Sequence, residues 1–463
     1  MSDRTKPGAA RSEGPSYQDY LARDTNTVPP TLGTEHPEYL GSTPLAASRY
    51  TSQAFFDREA DHLWPKVWQM VCREEDIPDV GDVYVYDIVG KSFLVTRVAA
   101  HEIRAYYNVC LHRGRKLRTE SGQTEDFRCP FHGFTWHLDG SIKSVPCRWD
   151  FEHLSDDDLK LPEARIATWG GFVFLNMDPD APPLDEYLEV LPAHFERWRL
   201  EDCYKAAHVA KVIRCNWKVA MEAFMESYHV IATHPQILPV IADANAQYDV
   251  LGRHVNRNLT AFAAPSPHLG QGVTNEEVFR GMLSLWGKPG SAHEVLADAG
   301  SAAGEKEPRR ALGALNREAF RRAYRGDYSD VTDAETLDAL VYNVFPNFSP
   351  WAGFAPNIVY RWRPRGRAVD ECVMEVMILK RVAEGASKPR GVRVHWLAED
   401  EPWSSASELP ILGPVIDQDM ANMPYVQDGL VASANNEVQL GNYQEIRIRH
   451  FHQTLDEYLT PTD

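Results

Sequence analysis

Residues rich in β-branched and aromatic side chains crowd into short runs at 83–86, 92–98 and 103–109, divided by Gly90 and by Ala100-His101. Such runs between turn residues predict strands of a small β domain. The last strand of that domain is Gly170-Gly171-Phe172-Val173-Phe174-Leu175. The Pro/Asp cluster Asp178-Pro179-Asp180-Ala181-Pro182-Pro183 after it is the best boundary. Before the β domain, FFDREADHLWPKVW belongs to a helical stretch over 52–68. Beyond 180, helical periodicity predicts helices over 184–199, 216–234, 275–285, 305–326 and 418–433. Strands are expected over 204–214, 356–364, 370–381 and 391–396. Strand runs and helix runs are grouped rather than alternating, which favours α+β over a doubly wound sheet. Three segments result: an irregular, flexible N-terminal arm (1–45), a small β domain with its flanking helix (46–178) and a larger mixed domain (179–463). Residues 286–312 read as a mobile surface insertion.

Composition narrows the class. The chain has 463 residues with 43% apolar content, enough to bury a large core. Its formal net charge of −18 argues against nucleic acid or anionic membrane as a partner. No apolar run has the length of a membrane span, and the polar N-terminus lacks a secretory core, so a cytoplasmic location is expected. Seven cysteines are sparse and odd in number, unlike a disulfide framework. In such a chain, Cys beside His reads first as metal chemistry.

Cys110-Leu111-His112 is followed by Cys129-Pro130-Phe131-His132. A Cys₂His₂ zinc finger puts both Cys before both His. Here Cys and His alternate in two loops, so the Cys pair can take one iron and the His pair the other. That is the Rieske form of a [2Fe–2S] centre. Gly114, Pro130 and Gly133 permit tight loops whose amides approach the cluster sulfurs.

A second pattern lies at His229 and His234. Five residues diverge by about 140° on an ideal helix, so both imidazoles reach one metal only if the helix is widened or broken. Pro235 argues that it ends there. Two His with one carboxylate make the open-sided Fe(II) triad. Asp419 is the chosen carboxylate, with Asp417 the close competitor. Alone, H-x4-H is a weak signal; its co-occurrence with the cluster motif gives it weight.

With these residues in view, the sequence resembles the α subunits of Rieske non-haem iron ring-hydroxylating oxygenases, from about 48 to 450. Four blocks carry the resemblance: Cys110 to His132; Trp169-Gly170-Gly171-Phe172-Val173-Phe174; Asn216-Trp217-Lys218 through Glu226-Ser227-Tyr228-His229 and His234-Pro235; and Asp417-Gln418-Asp419 through Gln427-Asp428-Gly429-Leu430. It implies an all-β Rieske domain and a catalytic domain with an antiparallel sheet covered by helices, of helix-grip type. It implies Cys110, His112, Cys129 and His132 on the cluster, and His229, His234 and Asp419 on a mononuclear Fe(2+). It also implies homotrimers, with or without a small β subunit, in which Glu226 bridges the cluster of one chain and the iron of the next. Many members have Asp at position 226, where this chain has Glu, which can do the same electrostatic job one methylene further out; many have Asn at 223, where this chain has Ala, so an auxiliary polar contact near the iron is expected to be missing.

The expected activity is oxygenation of a small apolar substrate, aromatic or polycyclic, by O₂. The alternatives are monooxygenation or O- or N-demethylation of a non-aromatic substrate, and a plain Rieske electron carrier. Gly270 to Asn275 is only a partial dinucleotide fingerprint, so electrons are expected from a separate reductase, directly or through a ferredoxin. Arg113, Arg115, Lys116 and Arg118 offer a basic run for such a donor; a solvated loop explains them equally well.

Overall fold

The computed structural model describes residues 6–270, 272–286 and 307–460. Two antiparallel sheets organise it. The first has seven strands in the order Gln69–Arg73, Phe172–Asn176, Glu163–Trp169, Glu102–Tyr107, Lys91–Ala99, Asp82–Ile88 and Gly122–Gln123. A three-stranded ribbon, Phe127–Arg128, Thr135–Trp136 and Ile142–Ser144, lies beyond it and carries the second Cys-His loop. The second sheet has eight strands, running from Gln247–Val250 through Val255–Thr260, Ala339–Val344, Phe348–Pro350, Ile358–Pro364, Cys372–Arg381 and Cys203–Ile213 to His395–Trp396. Only the last pairing is parallel. Helices Trp217–Glu222 and Ile446–Leu459 pack on this sheet, so the architecture is α+β. No described helix is long and apolar enough to cross a membrane.

Several expectations need correction. The stretch 184–199 is two short helices, Leu184–Leu188 and Leu191–Phe195, parted at Glu189 with φ +52°. The stretch 418–433 is also two, Leu412–Met420 and Met423–Val431. Pro424 opens the second, where its missing N–H costs nothing. The strand expected over 391–396 shrinks to His395–Trp396. Strands Gln247–Val250, Val255–Thr260, Ala339–Val344 and Phe348–Pro350, and the helix Ile446–Leu459, were not anticipated. Of the expected insertion, 287–306 lie outside the described residues, and Pro308–Tyr324 is a helix.

The N-terminal arm is neither wholly irregular, since Ser16 and Asp19 cap a short helix at Tyr17–Leu21, nor free. Tyr17, Leu21 and Leu32 are buried. The Tyr17 hydroxyl donates to Asp338 (3.2 Å), and Arg257 donates to the carbonyls of Thr31 and Thr34. Asp24 accepts from the backbone of Asp333 and Ala334. Backbone hydrogen bonds and apolar anchors thus strap the arm to the large domain.

Candidate metal centres

The two Cys-His loops have the same local build. The amides of Gly114 and Gly133 each donate to the carbonyl of the Cys four residues back (2.9 Å in both). The amides of Cys110 and Cys129 close the loops onto Arg115 and Phe134 (2.8 Å in both). Both glycines have positive φ, +76° and +82°, which the tight turn requires. At the tips the backbone turns its N–H groups on sulfur. The amides of His112 and Arg113 face the Cys110 thiol, and those of Phe131 and His132 face Cys129. Burial pushes the Cys110 thiol up. Burial acts likewise on Cys129, but its amides and the Cys110 thiol outweigh it and hold Cys129 below the usual range.

The loops face each other. The Cys110 and Cys129 thiols act on each other's titration, and the His112 and His132 rings lie 4.6 Å apart. The His112 Nδ1 is buried with no hydrogen-bond partner. A thiol pair, an imidazole pair and an orphaned ring nitrogen fit a two-iron cluster, in which each pair takes its own metal. Four ligands to one zinc would have to converge on a single point. His132 is half-buried and Phe131 is 56% exposed, so the histidine edge lies at the surface.

The second centre forms where the chain departs from the expected helix. That helix runs only over Trp217–Glu222; Ala223 to His229 is irregular, and a short helix occupies Val230–Thr233. His229 caps the start of the short helix, and His234 leaves it with φ −126°. The helix is therefore broken, not widened, and the five-residue spacing ceases to matter. One nitrogen each of His229 and His234 and one oxygen of Asp419 lie within 4.8 Å of one another. The Asp419 Oδ1 is 2.8 Å from His234 Nε2 and 3.6 Å from His229 Nε2. Asp417 is committed elsewhere: it accepts from the amides of Trp403 (2.6 Å) and Ser404 (3.1 Å). That separates the two candidate carboxylates in favour of Asp419.

Both rings are held from behind. The His229 Nδ1 donates to Glu226 Oε1 (2.8 Å), and its amide to Glu226 Oε2 (2.9 Å). The His234 Nδ1 donates to Gln418 Oε1 (2.9 Å). Such contacts select the tautomer that presents Nε2 to a metal. Burial disfavours charge on His229, yet Glu226 and Asp419 outweigh it and raise its pKa, so the place draws positive charge. Glu226 reaches His229 as expected, but through an irregular turn and not along a helical face. Gln418 was missed; a Gln between two Asp carries no sequence signal of its own. Glu222 is a support: its carboxylate meets the Tyr50 hydroxyl and the His452 Nε2, each at 2.9 Å. His208, His450 and His452 likewise sit in structural hydrogen bonds.

A β domain with facing Cys-His loops, joined to a helix-covered antiparallel sheet whose helices bring together two His and one carboxylate, defines an iron–sulfur protein with a separate iron centre. Residues 67–155 match the Rieske [2Fe-2S] domain and residues 191–461 match the ring hydroxylating alpha subunit (catalytic domain). The chain belongs to the family of ring-hydroxylating oxygenase α subunits. It is 29% identical over 194 residues to the carnitine monooxygenase oxygenase subunit of Escherichia coli (strain K12), covering 41% of this chain and 52% of that one. It is 31% identical over 201 residues to the biphenyl 2,3-dioxygenase subunit alpha of Rhodococcus jostii (strain RHA1), covering 42% and 43%. The chain thus spans about half the length of the curated relatives it matches. Among solved structures, a quaternary ammonium Rieske monooxygenase with L-carnitine superposes with TM-score 0.63 at 16% identity, over 91% of this chain and 97% of that one. A naphthalene 1,2-dioxygenase variant bound to phenanthrene gives 0.65 at 19%, over 92% and 94%. These likenesses share the fold.

Proposed function

We propose that this chain is the terminal oxygenase component of a system that draws electrons from a separate reductase, directly or through a ferredoxin, and oxygenates a small organic substrate with O₂. The carrying observation is the meeting of His229, His234 and Asp419, each imidazole pinned through Nδ1, in a chain that also bears the cluster loops. When bound, the mononuclear iron supplies O₂ activation, and the cluster supplies electrons one at a time. His229, His234 and Asp419 would hold the metal, a two-His, one-carboxylate set of the kind that serves Fe(II) oxygenases. Glu226 orients His229 and, in a homotrimer, takes its other hydrogen bond from a cluster histidine of the neighbouring chain. The surface position of Phe131, beside the half-buried His132, supports that reading.

For the substrate, a methylated, non-aromatic molecule fits better than the aromatic one expected from sequence. Carnitine, glycine betaine and choline monooxygenases recur among the relatives. Aromatic dihydroxylation is the second reading, favoured by the biphenyl dioxygenase match.

The test is iron content beside turnover. The wild-type chain is expected to hold about three Fe, two in the cluster and one on the triad. Asp419→Ala should hold about two, keep the cluster's visible spectrum and lose turnover. An Asp419→Ala protein with full iron and turnover refutes the assignment. One ¹⁸O atom from ¹⁸O₂ in the product, against two, separates monooxygenation from dioxygenation.

A further inference from the structure

Arg447, on the C-terminal helix Ile446–Leu459, is fully buried, with 0% of its surface exposed. Its Nε donates to Asn256 Oδ1 (2.7 Å) and its Nη1 to the carbonyl of Met225 (3.0 Å). Its Nη2 is buried with no acceptor. The carboxylates of Asp249 and Glu226 act on it only at longer range, and burial pulls the guanidinium down to about 9. Burying a cation without a contacting carboxylate is costly, because desolvation is not repaid locally. A position that keeps such an arginine is where a functional constraint is expected.

The constraint is visible in what Arg447 grips. Met225 directly precedes Glu226, in the irregular stretch between the helices Trp217–Glu222 and Val230–Thr233. On the other side of Glu226, the amide of Ser227 donates to the Tyr248 hydroxyl (2.9 Å), and the Ser227 hydroxyl meets Thr260 Oγ1 (2.9 Å). Glu226 is therefore clamped before and after by side chains from the sheet and the C-terminal helix. Arg447 is itself seated: Asn256 Nδ2 donates to the His450 Nδ1 (3.0 Å), whose Nε2 donates to the Gly252 carbonyl (2.9 Å). Without a helix to define this stretch, these contacts decide where the Glu226 carboxylate stands.

We propose that Arg447 is a positioning residue that sets the Glu226 carboxylate, and through it the ring of His229, for metal binding. The inference rests on the function proposed above. Its test uses the full protein with the cluster retained and the mononuclear iron removed by chelation, titrated with Co(II) and followed by the metal's visible d–d bands. Arg447→Met should weaken Co(II) binding by about tenfold, as loss of the groups behind a ligand does, and alter the d–d spectrum. The cluster's EPR signal should not move. Arg447→Lys, which can still donate to Met225, should recover part of the affinity. A folded Arg447→Met protein with wild-type affinity and spectrum overturns the proposal. If Arg447→Met does not fold, Tyr248→Phe decides: it removes the second grip and should weaken binding, and unchanged binding overturns the clamp. A wild-type protein that takes up no Co(II) overturns the proposed function itself, and this inference with it.

Discussion

Glu375 offers the sharpest test of how the two sheets are held together. Its carboxylate is buried, 1% exposed, and takes a two-pronged contact from Arg361, at 2.7 Å from Nε and 2.8 Å from Nη2. Arg363 Nε adds a third donor at 3.0 Å and His208 Nε2 a fourth at 3.2 Å. Arg361 also reaches across to the smaller sheet, where its Nη1 donates to the carbonyls of Met70 (2.7 Å) and Val71 (2.5 Å). Glu375→Gln keeps the shape and removes the charge, leaving the fully buried Arg361 without a counterion. Removing one partner of a buried pair costs about 3–5 kcal/mol. The remaining amide oxygen can accept one of the lost bonds, so about 3 kcal/mol is expected. Burial would push the Glu375 carboxyl up, but Arg361 and Arg363 outweigh it and hold it well below the carboxylate range. The folded pKa is the lower one. Its stabilisation is therefore full above about 4.5, the unfolded value, and is lost only as pH falls through the folded pKa. At pH 7 the whole effect should appear. Urea unfolding, followed by cluster absorbance and by tryptophan fluorescence, should show both midpoints falling. Arg361→Met with Glu375→Gln should cost about 2–3 kcal/mol less than the sum of the single changes, because the fully buried cation is gone and only the partly exposed Arg363 loses its carboxylate. A loss under about 1 kcal/mol for Glu375→Gln, or strict additivity in the pair, refutes the clasp.

Asp417→Asn should leave the iron content at about three per chain while lowering stability by about 1 kcal/mol through its weakened hold on the Trp403 and Ser404 amides; loss of iron by metal analysis would reopen the choice of ligand. Burial raises the Glu222 carboxyl to about 8, against the pull of Tyr50, Lys218 and Arg49. A raised folded pKa means that stability falls as pH climbs from about 4.5 to about 8; Glu222→Gln should flatten that slope in melting curves, and an unchanged slope would show that Glu222 is not its source.

What the sequence made legible follows from where chemistry and local pattern coincide. The strands around 82–107 are short, β-rich and bounded by turns, and they form where expected. The helix Asn275–Leu285 begins under a capping box of Thr274 and Glu277, a local signal that needs no tertiary help. The candidate cluster residues stood out because Cys and His alternate in two loops, an order that a Cys₂His₂ zinc finger does not have. The missed elements lack such agreement. Val255-Asn256-Arg257-Asn258-Leu259-Thr260 is a buried strand whose polar residues hide the alternation, because their partners are Asp249, Ser227 and Arg447. Ile446-Arg447-Ile448-Arg449-His450-Phe451-His452 repeats with a period of two yet forms a helix buried on all sides.

The same residues that obscure the fold support the site. Asn256, Tyr248 and Arg447 are buried polar groups in or beside the two elements that patterning missed, and they meet at the break between the helices at 217–222 and 230–233. A continuous helix was the natural reading of Trp217 to His234, since the stop signal there, Pro235, lies past the second helix and not at the break. At the break the freed backbone groups of Met225 and Ser227 are met from outside, by a guanidinium on the last helix and a hydroxyl on the sheet. Metal ligands announce themselves in sequence because their chemistry restricts residue type. The groups that aim them do not, because a backbone carbonyl can be held by any donor that reaches it. In this chain the cost of that freedom is an arginine buried without a contacting carboxylate. An unexplained burial of that kind is the mark by which such a support is recognised from structure.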